Sequence, residues 1–280
     1  MNVLEAILLG VVQGLTEFLP ISSSGHLILV PWLADIRYLQ DHPEFNKTFD
    51  VALHLGTLFG VVVYFRAEVR MMVEGLAGLA RHRAVTNPSE RLALIVALAT
   101  IPAVIVGGLG EDWIDEQLGE PWQIAILLAV FGLLLAWADR LPQRRGMDAI
   151  GPADALKIGV AQAAALAPGV SRSGVTITAG RALGLDRDSA ARFSFLLLIP
   201  AVAGAVALKG AGVVQDGLPE GAAGPMLAGI AAAAVSSYAA IAWMLAYVRR
   251  RSYDVFVVYR LIAAAVVLAL IASGVKAATF

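Results

Sequence analysis

The chain has 280 residues, of which 59% are hydrophobic and 15% charged, with a mean hydropathy of +0.75. Soluble domains carry about a quarter charged residues, so this composition argues against a soluble single domain. The 21 Lys and Arg and 22 Asp and Glu cancel to a net charge of −1, which argues against a nucleic-acid partner. With no cysteine there is no disulfide framework, thiolate metal site or cysteine nucleophile.

Taken in chain order, the first apolar stretch, 3–31, has neither a basic start nor a small-residue cleavage signature and reads as part of the mature protein. It is broken by Pro20-Ile21-Ser22-Ser23-Ser24-Gly25. Each half offers roughly 20 Å of helix, too short to cross a bilayer and long enough to reach its middle. Uninterrupted crossings are expected near 50–66, 91–109 and 121–138. A second broken stretch, 155–182, is interrupted by Pro168-Gly169-Val170-Ser171-Arg172-Ser173-Gly174, and crossings near 193–210, 226–248 and 255–275 follow. The expected architecture is an all-α integral membrane protein with six transmembrane helices and two re-entrant helical hairpins, forming one polytopic domain over residues 1–280.

Lys and Arg accumulate on the cytoplasmic side of a membrane protein. With both broken stretches read as hairpins that return to their own side, sixteen of the basic residues share one side, including Arg66 to Arg91, Arg140 to Lys157, Arg181 to Arg192, and Arg249 to Arg251 with Arg260. Only Arg37, Lys47, Lys209 and Lys276 fall on the other, and Arg172 lies at a hairpin tip. Both termini, the 31–49 loop and the acidic loop 111–116 are then expected outside.

An offset of 149 places Gly10-Val11-Val12-Gln13 over Gly159-Val160-Ala161-Gln162, and Ile21-Ser22-Ser23-Ser24-Gly25 over Val170-Ser171-Arg172-Ser173-Gly174. The expected repeats are about 1–138 and 155–280, joined by a cytoplasmic loop at about 139–154. Each hairpin is followed by three crossings, so the halves would be inverted, as in many transporters, with the tips meeting near the midplane. Irregular backbone at that depth requires a protein or water-filled cavity to satisfy it.

Gln13 and Glu17 lie one turn apart on one face of the first half-helix, and an ionisable group inside a bilayer is functional by default. Ser22, Ser23, Ser24 and Gly25 precede a helix whose first turn carries His26, so hydroxyls and free N–H groups converge at a positive helix end. Such turns are commonly simple caps. Two of them facing each other, one bearing Arg172 with its planar fork, favour an anion site to which Ser171, Ser173, Gly174 and Thr176 add donors. His54 faces either that cavity or a neighbouring helix.

The segments Gln13-Gly14-Leu15-Thr16-Glu17-Phe18-Leu19-Pro20-Ile21-Ser22-Ser23-Ser24-Gly25-His26 and Pro168-Gly169-Val170-Ser171-Arg172-Ser173-Gly174 closely resemble the two signatures of the bacterial undecaprenyl-diphosphatase family. The resemblance implies hydrolysis of undecaprenyl diphosphate to undecaprenyl phosphate and inorganic phosphate, recycling of the lipid carrier for peptidoglycan, and bacitracin resistance. It also implies a bacterial plasma membrane, a site that opens to its outer face, and a divalent cation, Mg²⁺ or Ca²⁺. Glu17 and Gln13 match the acid pair of its first motif, where many members have two Glu, so a two-carboxylate metal site is not expected here. Ser23 and His26 match the catalytic serine and histidine, and Ser171, Arg172, Ser173 and Thr176 match the phosphate-binding motif. Ser23, His26 and a metal-bound water are the open choices for the attacking group.

The expected partners are the prenyl diphosphate and membrane lipids, with a homodimer open and nucleic acid excluded. A secondary transporter or lipid-carrier flippase uses the same architecture and is the alternative class. An intramembrane serine protease fits the paired Ser-Gly turns and Arg172 poorly.

Overall fold

The computed structural model describes residues 1–36, 43–216 and 221–279; the side chains of residues 43, 44, 111, 112, 115 and 208–216 are outside that description. Arg37 and Lys209, both counted in the charge bias, lie outside it too. The described residues are helical, with one isolated backbone bridge between Arg145 and Leu185 and no strand.

Five helices are long and apolar enough to cross a membrane: Pro88–Gly110 within α5 (Pro88–Gln117), α6 (Pro121–Asp139), Arg187–Ala207 within α9 (Arg187–Asp216), α10 (Ala223–Val248) and α11 (Asp254–Ala272). They match five of the six expected crossings. The sixth, expected at 50–66, differs. There α3 (Pro43–Tyr64) runs into α4 (Arg66–His82) with a bend of 91° at Phe65, and only the pair together meets the criteria for a span. The stretch 111–116, read from sequence as an acidic loop, continues α5 to Gln117. The two broken stretches form helix pairs, α1 (Val3–Phe18) with α2 (Ser23–Ala34) and α7 (Pro152–Ala163) with α8 (Arg172–Ala182).

Without a hydrophobic force between helices in lipid, close approach relies on small residues. Gly10 and Gly14 of α1 lie against Gly229 and Ala233–Ser237 of α10; a Cβ at Gly14 would stand 2.5 Å from the Ala233 carbonyl oxygen. Gly56 and Gly60 of α3 press on the same helix at Ile230 and Ser237. On the far side, Gly159 of α7 meets the Ala99 carbonyl of α5, where a Cβ would approach to 2.5 Å. Thus α1 packs on α10 and its offset copy α7 packs on α5, while α6 pairs with α11. Phe18, Phe65 and Phe195 stack edge to face in the largest core cluster of the described residues, which also takes in Ile21 of the first turn.

Candidate active site

The two interrupting turns adopt one backbone solution. Ser22 (φ 77°, ψ 96°) and Ser171 (φ 76°, ψ 112°) cap α2 and α8 from a region that L-residues rarely occupy. Local hydrogen bonds offset that cost: the Ser22 hydroxyl accepts from Gly25 N–H at 3.3 Å, and the Ser171 hydroxyl from Gly174 N–H at 3.0 Å. Each cap hydroxyl also meets the serine two residues on, Ser24 at 3.5 Å and Ser173 at 3.2 Å. Both new helices therefore open with N–H groups gathered at the positive ends of their dipoles.

The turns touch each other. Gly169 N–H donates to Ser22 Oγ at 3.1 Å, and Ser173 Oγ donates to the Leu19 carbonyl at 3.0 Å. Arg260, read from sequence as a basic-side loop charge, corrects that reading. Its side chain is fully buried on α11, and its guanidinium donates to the carbonyls of Pro20 (3.1 Å), Gly169 (3.0 Å) and Val170 (3.1 Å), and to Leu127 and Leu128 of α6. Loop carbonyls left without helical partners are what a five-donor fork can satisfy. Gly174 leaves room for it: a Cβ there would lie 3.0 Å from Arg260 Nη1. All the described partners of Arg260 are neutral, so it lends uncompensated positive charge to the junction.

Glu17, 6% exposed, is the centre of the polar cluster. Its Oε1 accepts from Arg172 Nη2 at 3.0 Å; its Oε2 accepts from Ser23 Oγ at 2.5 Å and Gln13 Nε2 at 3.1 Å. His54, bonded through Nδ1 to the Asp50 carbonyl, brings Nε2 to 3.7 Å from the same Oε2, which settles its direction toward the site. Arg172 is anchored a second time on the Ser194 carbonyl at 2.6 Å. Thr176 back-bonds to the Arg172 carbonyl and meets Ser194 Oγ, both at 2.7 Å, and so sets Arg172 from behind.

His26 is buried and sits apart from this cluster. Its Nδ1 is 2.7 Å from the Ser22 carbonyl and its Nε2 is 2.6 Å from Tyr259 Oη. Among the described residues no hydrogen bond joins it to Ser23 or Glu17. A hydroxyl proton directed at a carboxylate, as in Ser23, is an arrangement that can act as a nucleophile and its base, and beside it Arg172 and two helix starts offer donors that suit an anion.

The predicted residues Gln13, Glu17, Ser23, Ser171, Arg172, Ser173 and Thr176 thus form one continuous network, with Ser22, Ser24 and Gly25 building the first turn. Ser194, Tyr259 and Arg260 were not found from the sequence. An Arg and a Tyr inside an apolar span were the available signal for the last two.

For a cation, the donor set is small. Among the described residues no three His, Asp or Glu gather at one point. Gln13 Oε1, however, is buried and has no hydrogen-bond partner, one turn from the Glu17 carboxylate. One carboxylate, one spare amide oxygen and a substrate's own phosphoryl oxygens suit a hard divalent ion that keeps few protein ligands.

Fold and site together define a multi-pass, all-helical membrane protein with a Ser–Glu–Arg cluster at the junction of two capped turns. Residues 6–266 match the family described as bacitracin resistance protein BacA, and the chain belongs to that family. Relatives named undecaprenyl-diphosphatase include those of Pelobacter propionicus, 46% identical over 99% of this chain and 100% of its own length, and Geobacter sulfurreducens, 48% identical over 96% and 98%. That of Rubrobacter xylanophilus is 45% identical over 97% of this chain and 99% of its own.

Proposed function

We propose that the chain hydrolyses undecaprenyl diphosphate to undecaprenyl phosphate and inorganic phosphate, recycling the lipid carrier of peptidoglycan synthesis and conferring resistance to bacitracin. The observation that carries this reading is the Ser23–Glu17–Arg172 arrangement, in which the Ser23 hydroxyl and the Arg172 guanidinium each lie within hydrogen-bond distance of the Glu17 carboxylate. The full-length similarity to proteins named undecaprenyl-diphosphatase supports the substrate.

The terminal phosphoryl group binds between Arg172 and the N–H groups that open α2 and α8. Ser23 Oγ attacks the terminal phosphorus as Glu17 takes the hydroxyl proton. The bond from that phosphorus to the bridging oxygen breaks, and the lipid phosphate leaves with the electron pair. Water then attacks the phosphoserine, inorganic phosphate departs, and Ser23 recovers a proton by way of Glu17. His26 is the remaining acid–base group of the two turns and takes the water proton in this reading. Mg²⁺ or Ca²⁺, held by Gln13 Oε1 and Glu17, would neutralise the phosphoryl oxygens.

In this reading the helix pairs α1/α2 and α7/α8 are re-entrant hairpins of an inverted repeat in the bacterial inner membrane, with both termini and the site opening on the periplasmic face. Their helices have 16, 12, 12 and 11 residues, hence lengths of roughly 16–24 Å, short of a ~30 Å hydrocarbon core. The cap geometry repeated at an offset of 149 supports the repeat, and the Lys and Arg bias supports the orientation.

Protein purified in detergent has no second compartment, so release of phosphate from undecaprenyl diphosphate tests the chemistry directly. Catalytic release, lost in Ser23→Ala, is expected. No release by a folded protein, together with lipid movement in proteoliposomes, would overturn it in favour of a flippase.

A further inference from the structure

The site has one contact that the hydrolysis scheme leaves unused. Tyr259 is 43% exposed on the outer side of α11, yet its hydroxyl turns inward and lies 2.6 Å from His26 Nε2. The two rings are nearly parallel, at 16° with centroids 5.6 Å apart. A phenylalanine would satisfy the apolar surroundings equally well, so the hydroxyl is the distinguishing atom.

Hydrogen-bond bookkeeping assigns it a role. The Ser22 carbonyl, 2.7 Å from His26 Nδ1, can only accept, so Nδ1 carries a hydrogen. In the neutral ring Nε2 is then a bare acceptor and the Tyr259 hydroxyl donates to it; in the imidazolium Nε2–H donates and the hydroxyl rotates to accept. Tyr259 therefore fits both protonation states of His26 without moving its ring, while the Ser22 carbonyl holds the other nitrogen in either state. The next residue, Arg260, fastens the two turns through their carbonyls. Adjacent residues of α11 thus fix the turns and the histidine that emerges from one of them.

We propose that Tyr259 serves hydrolysis through His26: its hydroxyl fixes the ring and, because it occupies the in-plane approach to Nε2, relays the proton, taking one from the attacking water as it gives its own to Nε2 and reversing the transfer afterwards. The proposal rests on the phosphatase reading and on His26 serving the water step. It assigns Tyr259 no contact with the diphosphate, so its removal should slow turnover and leave substrate binding alone.

The test is a double-mutant cycle on purified protein, with phosphate release from undecaprenyl diphosphate as the readout. Partners that orient a functional histidine are worth about 10–100-fold at metal sites, and Tyr259→Phe should lower kcat by an amount in that range, with KM within about twofold. In a His26→Gln background the same change should have no further effect, because the nitrogen it serves is gone. A merely structural tyrosine would instead lower activity equally in both backgrounds and reduce the melting temperature. Parent-like kcat for Tyr259→Phe, a change confined to KM, or an undiminished effect in the His26→Gln background would overturn the proposal. Failure of the parent protein itself to release phosphate would instead overturn the phosphatase reading.

Discussion

Two side chains offered by different halves of the chain, Glu17 and Arg172, meet at 3.0 Å with 6% and 15% of their side chains exposed. Such a pair is costly to desolvate, and removing one partner leaves a buried charge behind. In the proposed mechanism a diphosphate entering the site would compete with Glu17 for the guanidinium and leave the carboxylate a stronger base for the Ser23 proton. Arg172 makes separate contacts with the Ser194 carbonyl and Glu17 through its two terminal nitrogens, which a lysine could not reproduce. Arg172→Lys should therefore lower kcat by about 10²-fold or more, the size of loss seen when one preorganised donor is removed. Phosphate-release kinetics would check this, and activity within a few-fold of the parent would remove Arg172 from the site. Glu17 and Arg172 were legible in the sequence because a charge inside an apolar hairpin has few innocent explanations. Arg260 was not, since its position near the end of a span looks the same on paper whether the side chain leaves for water or turns inward to five carbonyls.

At the scale of elements, small residues decide how closely the hairpins are held. Gly10 and Gly14 are spaced four apart on α1, as Gly56 and Gly60 are on α3, and both pairs admit the backbone of α10. At Gly14 a methyl group would meet the Ala233 carbonyl at 2.5 Å and the Ser237 amide nitrogen at 2.8 Å, neither of which can rotate away. Gly14→Ala should push α1 off α10 at a cost of about 1–3 kcal/mol. Because Gln13 and Glu17 flank that contact, the loss should appear both as a lower melting temperature in detergent and as reduced phosphate release. An unchanged melting temperature would show that the interface yields without cost. The two helix breaks were readable from their Pro, Ser and Gly residues, which punctuate an apolar run unmistakably. The 91° bend at Phe65 was not, because neither Pro nor Gly marks it. It is set by tertiary packing, with Phe65 wedged against Phe195 and Gly75 of α4 drawn down on the Ser89 carbonyl.

Across the whole molecule, two arginine networks fasten the ends of the helices. Asp139, at the end of α6, accepts from Arg181 Nε (3.3 Å) on α8, Arg187 Nε (2.7 Å) on α9 and the Tyr253 amide (3.0 Å) just before α11. One carboxylate thus ties four helices, and Arg181, with no exposed surface, depends on it. Asp139→Asn should cost about 3–5 kcal/mol, the range for an unpaired buried charge, and be visible as a lower melting temperature with turnover per folded molecule preserved. The charge count registered Arg181 and Arg187 only as loop cations; sequence carries no sign that they converge on one acid 42 and 48 residues away.

The second network governs how the connector between the halves responds to pH. Arg145 reaches the Ala149 and Leu183 carbonyls and the Asp154 carboxylate, the last at 2.6 Å, so the 139–154 segment is clamped to the start of α7 and the end of α8. Hydrogen bonding from Arg145 is the main cause that holds the Asp154 carboxyl below its usual value, with the Gly151 amide and the nearby charges of Arg145 and Lys157 acting in the same direction. A carboxyl with a depressed folded-state value contributes stability that is fully present above the unfolded value, near 4, and is lost as pH falls through the folded value. Between pH 5 and 8 the clamp is therefore constant, and Asp154→Asn should lower the melting temperature by the same amount throughout. Below about pH 4 the parent should lose the advantage progressively and converge on the variant. Melting curves of both proteins in one detergent from pH 3 to 8 test this; a difference that shrank between pH 8 and 5 would mean that a group other than Asp154 controls the connector.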